Sequence, residues 1–208
     1  MRYLVGFMLA LCLFSSPGPA RGQSWEIDPD HSQAVFTIEH VVGSVNGFFN
    51  EFSFRDKNLE STIVFDPERP GEAVIDVVIN TWSLQSGVLR RDKHLATREF
   101  FDSLTYPLVR FTSKEVDKKG ENRFEARGEL TIKDVTRTVS VPFTYLGSEP
   151  NPVPGDDRLK GGIHGTITVN RMDYHVGPGK FLQMGLLGDE VRMDVYLELF
   201  EKKERSSR

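Results

Sequence analysis

The feature that most constrains the fold of this chain is an alternation of apolar and polar side chains with a period of two. It recurs in seven segments, at residues 33–39, 46–55, 75–80, 123–132, 139–145, 163–169 and 191–199. Successive side chains of a β-strand point to opposite faces, so the pattern is typical of strands that bury one face and expose the other. The alternation predicts an all-β protein of antiparallel strands.

The connections between these segments predict a single domain. Turn residues at 118–122 and 133–134 join consecutive strands. The longest loop, 147–162, connects strands of the same pattern. We therefore expect one β-domain over residues 23–208.

A closed barrel is the arrangement that best buries so many one-sided strands. Closure removes the exposed edges of an open sheet, and a barrel of about eight strands leaves room for one small ligand. A β-sandwich fits the same periodicity and stays open as an alternative. One helical pattern, at 83–95, lies between two strands, and we expect it to cover one end of the barrel.

The first 22 residues resemble a secretory signal peptide. A short basic start precedes the apolar run 4–14, which is too short to span a bilayer, and the helix-breaking residues Pro17 to Pro19 follow it. We expect cleavage after Gly22, although Ala20 also fits, and hence a periplasmic protein. Cleavage after Gly22 would remove Arg2, Arg21 and Cys12, and would leave 24 basic against 30 acidic side chains and no cysteine. That balance argues against nucleic acid and against adsorption to an anionic membrane.

The sequence contains no motif that predicts catalysis or a metal. It has no Gly-x-Ser-x-Gly elbow, and its histidines show no metal-ligand spacing. They are His31, His40, His94, His164 and His175. We therefore predict no catalytic residue, no metal site and no cofactor.

An apolar cavity remains the best hypothesis for a site. Phenylalanine accounts for 15 of the 208 residues, and many of these lie at the strand positions predicted to point inward. Ala126, Gly128 and Gly165 are small residues at the same inward-pointing positions. A packed aromatic core explains the same pattern, and both readings stay open. The residues predicted to line an apolar pocket are Phe36, Ile38, Phe48, Phe52, Val77, Ile79, Trp82, Phe101, Phe111, Leu130, Phe143, Gly165 and Ile167.

Charged side chains next to aromatic residues predict a polar rim for this pocket. The segment 90–101 joins charges of both signs to a phenylalanine pair, and Arg171 precedes Asp173 in a second polar cluster. We predict a rim of Arg91, Asp92, His94 and Arg171. Arg91 would either contact a lipid head group or pin the helix through an acidic partner.

The chain resembles the YceI-like family of polyisoprenoid-binding periplasmic proteins. The resemblance covers the mature length and rests on an ordered set of short motifs. These are Trp25-x-Ile27-Asp28-x-x-His31-Ser32, Phe36-x-Ile38-x-His40, Val45-x-Gly47-x-Phe49, Arg91-Asp92-x-His94-Leu95, Phe100-Phe101-Asp102, Tyr106-Pro107, Phe111-x-Ser113, Gly128-x-Leu130-Thr131-Ile132, Val135-Thr136 and Asn170-Arg171-x-Asp173-Tyr174.

The resemblance implies an extended antiparallel barrel of lipocalin-like architecture, often a homodimer, that holds a long isoprenoid or related lipid tail. It places Arg91, Asp92 and His94 near the pocket entrance. We therefore predict a periplasmic binding or carrier protein for a polyisoprenoid or isoprenoid quinone, with no stable membrane insertion. Two alternatives stay open: an enzyme that acts on such a lipid with His94 as base, and a stress-related interaction protein with a filled core.

Overall fold

A computed structural model describes residues 22–53 and 60–203. The predicted signal peptide therefore lies outside the described residues except for Gly22, as does Phe54 of the second alternating segment. Ten strands form one antiparallel sheet. They are β1 (Ser24–Ile27), β2 (Gln33–His40), β3 (Gly43–Phe49), β4 (Thr62–Val64), β5 (Val74–Asn80), β6 (Leu108–Lys118), β7 (Arg123–Ile132), β8 (Val135–Pro150), β9 (Leu159–Asn170) and β10 (Glu190–Glu201).

Eight of these strands close into a ring, which confirms the predicted barrel and excludes the sandwich. The order is β1-β4-β5-β6-β7-β8-β9-β10, and β1 pairs with β10 to complete the ring. β10 is long enough to pair with β1 near Leu199 and with β2 from Val191 to Tyr196. The hairpin β2–β3 therefore extends the wall beyond β1 along the same strand.

The antiparallel pairing defines two ends of the barrel. At the mouth end, β2, β5 and β9 end and β10 begins, with His40, Asn80, Asn170 and Glu190 as the terminal residues. At the opposite end, called the far end, β1 and β9 begin and β10 ends. The connection from β5 to β6 and the connection from β9 to β10 both leave the barrel at the mouth end.

The predicted helix is present but short. Helix α1 spans Leu89–Leu95, between β5 and β6, instead of the whole segment 83–95. The residues before it cannot be helical, because the backbone of Gln85 donates to and accepts from that of Phe48, at 2.9 and 2.8 Å. Gly87 then takes a positive φ of 78°, which a continuing helix does not allow. A second short helix, α2, spans Gly179–Gln183 in the connection from β9 to β10.

Aromatic rings fill the far end of the barrel. The ring of Phe65 contacts those of Phe124, Phe143 and Tyr145 at centroid distances of 5.1, 5.5 and 5.4 Å, and all four residues are buried. The indole of Trp25 donates to the carbonyl of Phe65 at 3.1 Å. Edge-to-face contacts of this kind stabilise a core beyond the area they bury. Within the described residues, no helix has the length and apolarity needed to cross a membrane.

Candidate functional site

A cavity of about 480 Å³ opens between the mouth end of the barrel and the segments that cover it. Its wall combines β2, β3 and the first residues of β10 with α1, α2 and the loop after α2. The lining is almost entirely apolar, and its aromatic members are Phe36, Phe49, Phe100, Phe101 and Phe181. The volume falls in the range of ~300–1,000 Å³ that is typical of sites for small organic ligands.

A second cavity, of about 120 Å³, lies deeper in the barrel. Its lining comes from the inward faces of β5 to β10 and is apolar throughout. Met193 lines both cavities, so the two lie on either side of one methionine side chain. The mouth cavity and the deep cavity therefore form successive compartments along the barrel interior.

Most of the predicted pocket residues lie on one of these two cavities. Phe36, Ile38 and Phe101 line the mouth cavity. The deep cavity is lined by Val77, Ile79, Phe111, Leu130, Phe143, Gly165 and Ile167. Their common position follows from the period-two pattern, which puts each of them on the inward face of its strand.

Three predicted pocket residues lie elsewhere. Phe48 lies on the face of β3 that is turned away from the mouth cavity, and its neighbour Phe49 lines the cavity in its place. Phe52 is buried but lines neither cavity, because β3 ends at Phe49 and the alternation no longer fixes direction beyond it. Trp82 is 57% exposed, since it lies in the 3₁₀ turn Thr81–Ser83 that leaves the barrel after β5.

Arg171 is the most unusual polar residue on the mouth cavity. It follows β9 in a 3₁₀ turn and is only 3% exposed. Its Nε donates to the carbonyl of Gly188 at 2.7 Å, and its Nη1 donates to the carbonyl of Val176 at 2.9 Å. Burial lowers the pKa of this guanidinium, which Asp189 opposes, and Nη2 has no hydrogen-bond partner among the described residues. The arginine therefore joins two loops beside an apolar cavity without a direct ion pair there.

The polar residues of α1 have different roles. Arg91 lines the mouth cavity and donates to the hydroxyl and carbonyl of Ser86 at 2.7 and 2.6 Å. Asp92 lines neither of these two cavities, because its carboxylate accepts from the backbone N–H and the hydroxyl of Ser86. Asp92 therefore lies near the mouth without contributing to the cavity wall. Arg91 helps to pin the helix, although through Ser86 and not through the acidic partner that one of the two alternatives required.

His94 lies on the wall of the mouth cavity and has an acidic partner outside the predicted set. Its Nε2 contacts the carboxylate of Glu99, which also receives the ammonium of Lys180 at 3.1 Å. These contacts lower the pKa of Glu99, chiefly through the hydrogen bond from His94. The link between Glu99 and Lys180 joins the segment after α1 to α2.

One group of potential metal ligands lies at the far end of the barrel. Single ligand atoms of Asp28, His31 and Glu198 lie within 4.8 Å of one another. The ammonium of Lys160 lies 3.2 Å from Asp28 and 2.6 Å from Glu198, so a cation already occupies the middle of this group. The cluster connects the turn after β1 to β9 and β10, and its chemistry is that of a structural ion-pair network.

This network predicts a contribution of Asp28 to acid stability. Burial alone would raise the pKa of Asp28, but hydrogen bonds from His31, the Asp30 backbone and Lys160 outweigh it and lower the pKa. A carboxylate with a lowered pKa stabilises the fold above its unfolded value of ~3.9, and that contribution disappears as the pH falls through the folded pKa. Asp28→Asn should therefore be less stable than the wild type near neutral pH, and the difference should shrink below about pH 4.

Urea unfolding at several pH values measures this difference. Asp30→Asn, at an exposed position two residues away, is the matched control, and its free energy of unfolding should depend on pH as that of the wild type does. A difference in the free energy of unfolding between Asp28→Asn and the wild type that stays constant from neutral to acid pH would contradict the prediction.

Comparisons with known proteins agree with this architecture. A family model described as "YceI-like domain" matches residues 25–199. A UPF0312 protein of Pseudomonas savastanoi is 30% identical over 204 residues, which cover 96% of this chain and 97% of that protein. Among solved structures, BcnA of Burkholderia cenocepacia superimposes with a TM-score of 0.72 at 24% identity, covering 83% of this chain and 99% of BcnA.

A more distant structure shares the fold alone. A domain from Saccharophagus degradans, described as a polyisoprenoid binding domain, superimposes with a TM-score of 0.60 at 12% identity. The match covers 88% of this chain and 99% of that domain. The barrel fold is therefore shared by proteins with few identical residues.

Proposed function

The chain belongs to the YceI-like family, and from this premise we propose that it binds one long apolar lipid, such as a polyisoprenoid or an isoprenoid quinone, and carries it through the periplasm. The observation that supports the proposal best is the pair of apolar cavities on either side of Met193. An extended chain that enters at the mouth would pass this methionine and reach the deep cavity. The polyisoprenoid-binding description of the Saccharophagus domain supports the same class of ligand.

Burial of the chain accounts for binding without specific chemistry. Each CH₂ group removed from water contributes about 0.8 kcal/mol, so ten groups contribute ~8 kcal/mol before ordering costs. That corresponds to an affinity near the micromolar range. The open cavities also weigh against the alternative of a filled core, since the described interior leaves space at two places.

Localisation in the periplasm rests on the predicted signal peptide and on the resemblance to periplasmic proteins. We propose that residues 1–22 are removed during export. The N-terminal sequence of protein purified from the periplasm would identify the cleavage site.

A filled deep cavity should prevent lipid binding. We expect Gly165→Phe to fold and to lose most of the copurifying lipid, because Gly165 lines the deep cavity. A Cβ at this position would lie 3.5 Å from the nearest side-chain atom, in Val141, which is ordinary van der Waals contact. The aromatic ring would then occupy the space of the lipid chain.

Thr168→Phe is the matched control, because it adds the same ring to the exposed outer face of the same strand. Native mass spectrometry of protein purified from its own periplasm measures the bound lipid and also reports whether the protein is a homodimer. A folded Gly165→Phe variant with unchanged lipid content would contradict the placement of the ligand, and a wild type without bound lipid would contradict the carrier function.

Catalysis is the weaker hypothesis, and it would depend on His94 with Glu99 as its orienting carboxylate. Incubation of the wild type with the extracted lipid tests it directly. We expect the lipid to be recovered chemically unchanged. A modified product that disappears in His94→Ala would replace the carrier by an enzyme.

A further inference from the structure

Exposed apolar side chains concentrate at the mouth end of the barrel. Thirteen large hydrophobic residues are exposed in the described part of the chain, and only Val74, Leu146, Val153 and Tyr196 lie elsewhere. The other nine lie on the β2–β3 turn or in the two connections that leave the barrel at the mouth. Such a concentration around one opening is typical of an interaction surface, whereas single exposed apolar residues are ordinary.

Three of these segments form a continuous frame around the cavity opening. The β2–β3 turn joins the loop after α2, because the N–H of Gly188 donates to the carbonyl of Glu39 at 2.9 Å. Helix α2 joins the segment after α1 through the ion pair between Lys180 and Glu99, and Glu99 in turn contacts His94 of α1. We call this frame the mouth rim and define it as residues 39–44, 88–99 and 179–188.

The mouth rim exposes large apolar side chains to solvent. Val42 is 99% exposed at the tip of the β2–β3 turn. Its neighbour Val41 adopts a positive φ of 51°, which a β-branched residue rarely adopts. Met184 and Leu89 are also more than half exposed on the loop after α2 and on α1.

The charge of the mouth rim is opposite to that of the whole chain. The rim carries Arg90, Arg91, Lys93, Arg98 and Lys180. Its acidic residues are Glu39, Asp92 and Glu99, so basic side chains are in excess although the net charge of the chain is −4. The whole-chain charge argued against adsorption to anionic membranes, but it averages over a surface on which the mouth rim has a local excess of basic side chains.

We propose that the mouth rim docks reversibly on the surface of an anionic phospholipid bilayer. Apolar side chains flanked by basic ones are the combination that binds such a surface, because the apolar groups enter the interface while the cations attract the anionic head groups. Docking at this end would set the cavity opening against the bilayer, so that a lipid could enter without crossing water. The purpose of docking rests on the proposed lipid binding, whereas docking itself is measured independently of it.

Sedimentation with vesicles tests the proposal. We expect wild-type protein to sediment with vesicles of equal parts phosphatidylcholine and phosphatidylglycerol, and at least about ten-fold less with phosphatidylcholine alone, since each basic side chain near an anionic surface contributes on the order of five-fold in affinity. High salt should weaken the binding, because it screens exposed charges. Absence of binding to the anionic vesicles would overturn the proposal.

Two sets of variants locate the contact. Val42→Asp combined with Met184→Asp should reduce vesicle binding at least about ten-fold, and Arg90→Gln combined with Lys93→Gln should reduce it by a similar factor. Val153→Asp, in the exposed loop between β8 and β9 at the far end, is the matched control and should bind like the wild type. Equal binding by the rim variants and the control would overturn the assignment, and circular dichroism confirms that each variant is folded.

The outcome is distinguishable from that of the carrier hypothesis. If the protein contains lipid but does not bind anionic vesicles, the proposed function stands and the docking proposal is wrong. A protein that binds vesicles through the mouth rim but never contains lipid would retain the docking surface and lose the carrier function.

Discussion

Replacement of Gly128 by valine is expected to prevent the chain from folding. A Cβ at this position would overlap the carbonyl oxygen of Thr112 and lie 2.8 Å from the Cα of Ser113. Both obstacles are backbone atoms of the neighbouring strand β6, so no side-chain rotation can relieve the overlap. Even Gly128→Ala should lower the free energy of unfolding by about 3 kcal/mol or more, which is typical of severely destabilising single substitutions.

The close approach at Gly128 has a structural cause in the register of β6. The pairing of β6 with β7 shifts between Ser113 and Glu115, next to the residue that faces Gly128. Such a bulge bends its strand and disrupts the regular pairing, and the backbone of β6 lies close to Gly128 at this point. Gly165→Ala is the matched control, because a Cβ there makes only ordinary contacts, and it should change the unfolding free energy by less than about 1 kcal/mol. A Gly128→Ala protein that unfolds at the wild-type urea concentration would contradict this account.

Arg171→Ala should produce the second large loss of stability, about 3 kcal/mol. The substitution would remove two donors and leave the carbonyls of Gly188 and Val176 without their charged partner. A buried polar group that loses its partner costs ~1–3 kcal/mol, and the missing side chain would also leave a cavity. The loop after α2 should become mobile first, which hydrogen exchange of residues 184–188 would detect.

Arg137→Ala is the matched control for this prediction. Arg137 is exposed and pairs with Asp173, in the same 3₁₀ turn as Arg171, at 3.4 Å. Exposed ion pairs contribute little, so we expect a loss of less than about 1 kcal/mol from this variant. The prediction is wrong if urea unfolding gives the two variants equal stability.

Much of the fold was predictable because the strands are long and regularly amphipathic. The inward faces of β5, β7 and β9 follow directly from the alternation around Val77, Leu130 and Ile167. The ring closure was predictable only in general terms. It depends on the pairing of the four-residue β1 with the three-residue β4, and such short strands carry almost no periodic signal.

The mouth of the site was harder to predict because regular structure stops there. The sequence does not show which member of the phenylalanine pair at 48 and 49 points into the barrel. Only the register of β3 with β2 selects Phe49. The exposure of Trp82 depends on the turn that follows β5. The burial of Arg171 depends on two carbonyls five and seventeen residues away, which no local pattern indicates.

If the barrel holds a lipid chain as we propose, the aromatic rings at the far end also affect how that chain is exchanged. The rings of Phe65, Phe124 and Tyr145 fill the barrel at the far end, so a ligand can enter and leave only at the mouth end. A competing chain cannot push the occupant out from behind, so replacement is dissociative and its rate does not depend on the competitor's concentration. For the proposed lipid ligand we therefore expect a residence time that grows with the length of chain that must be withdrawn past Met193.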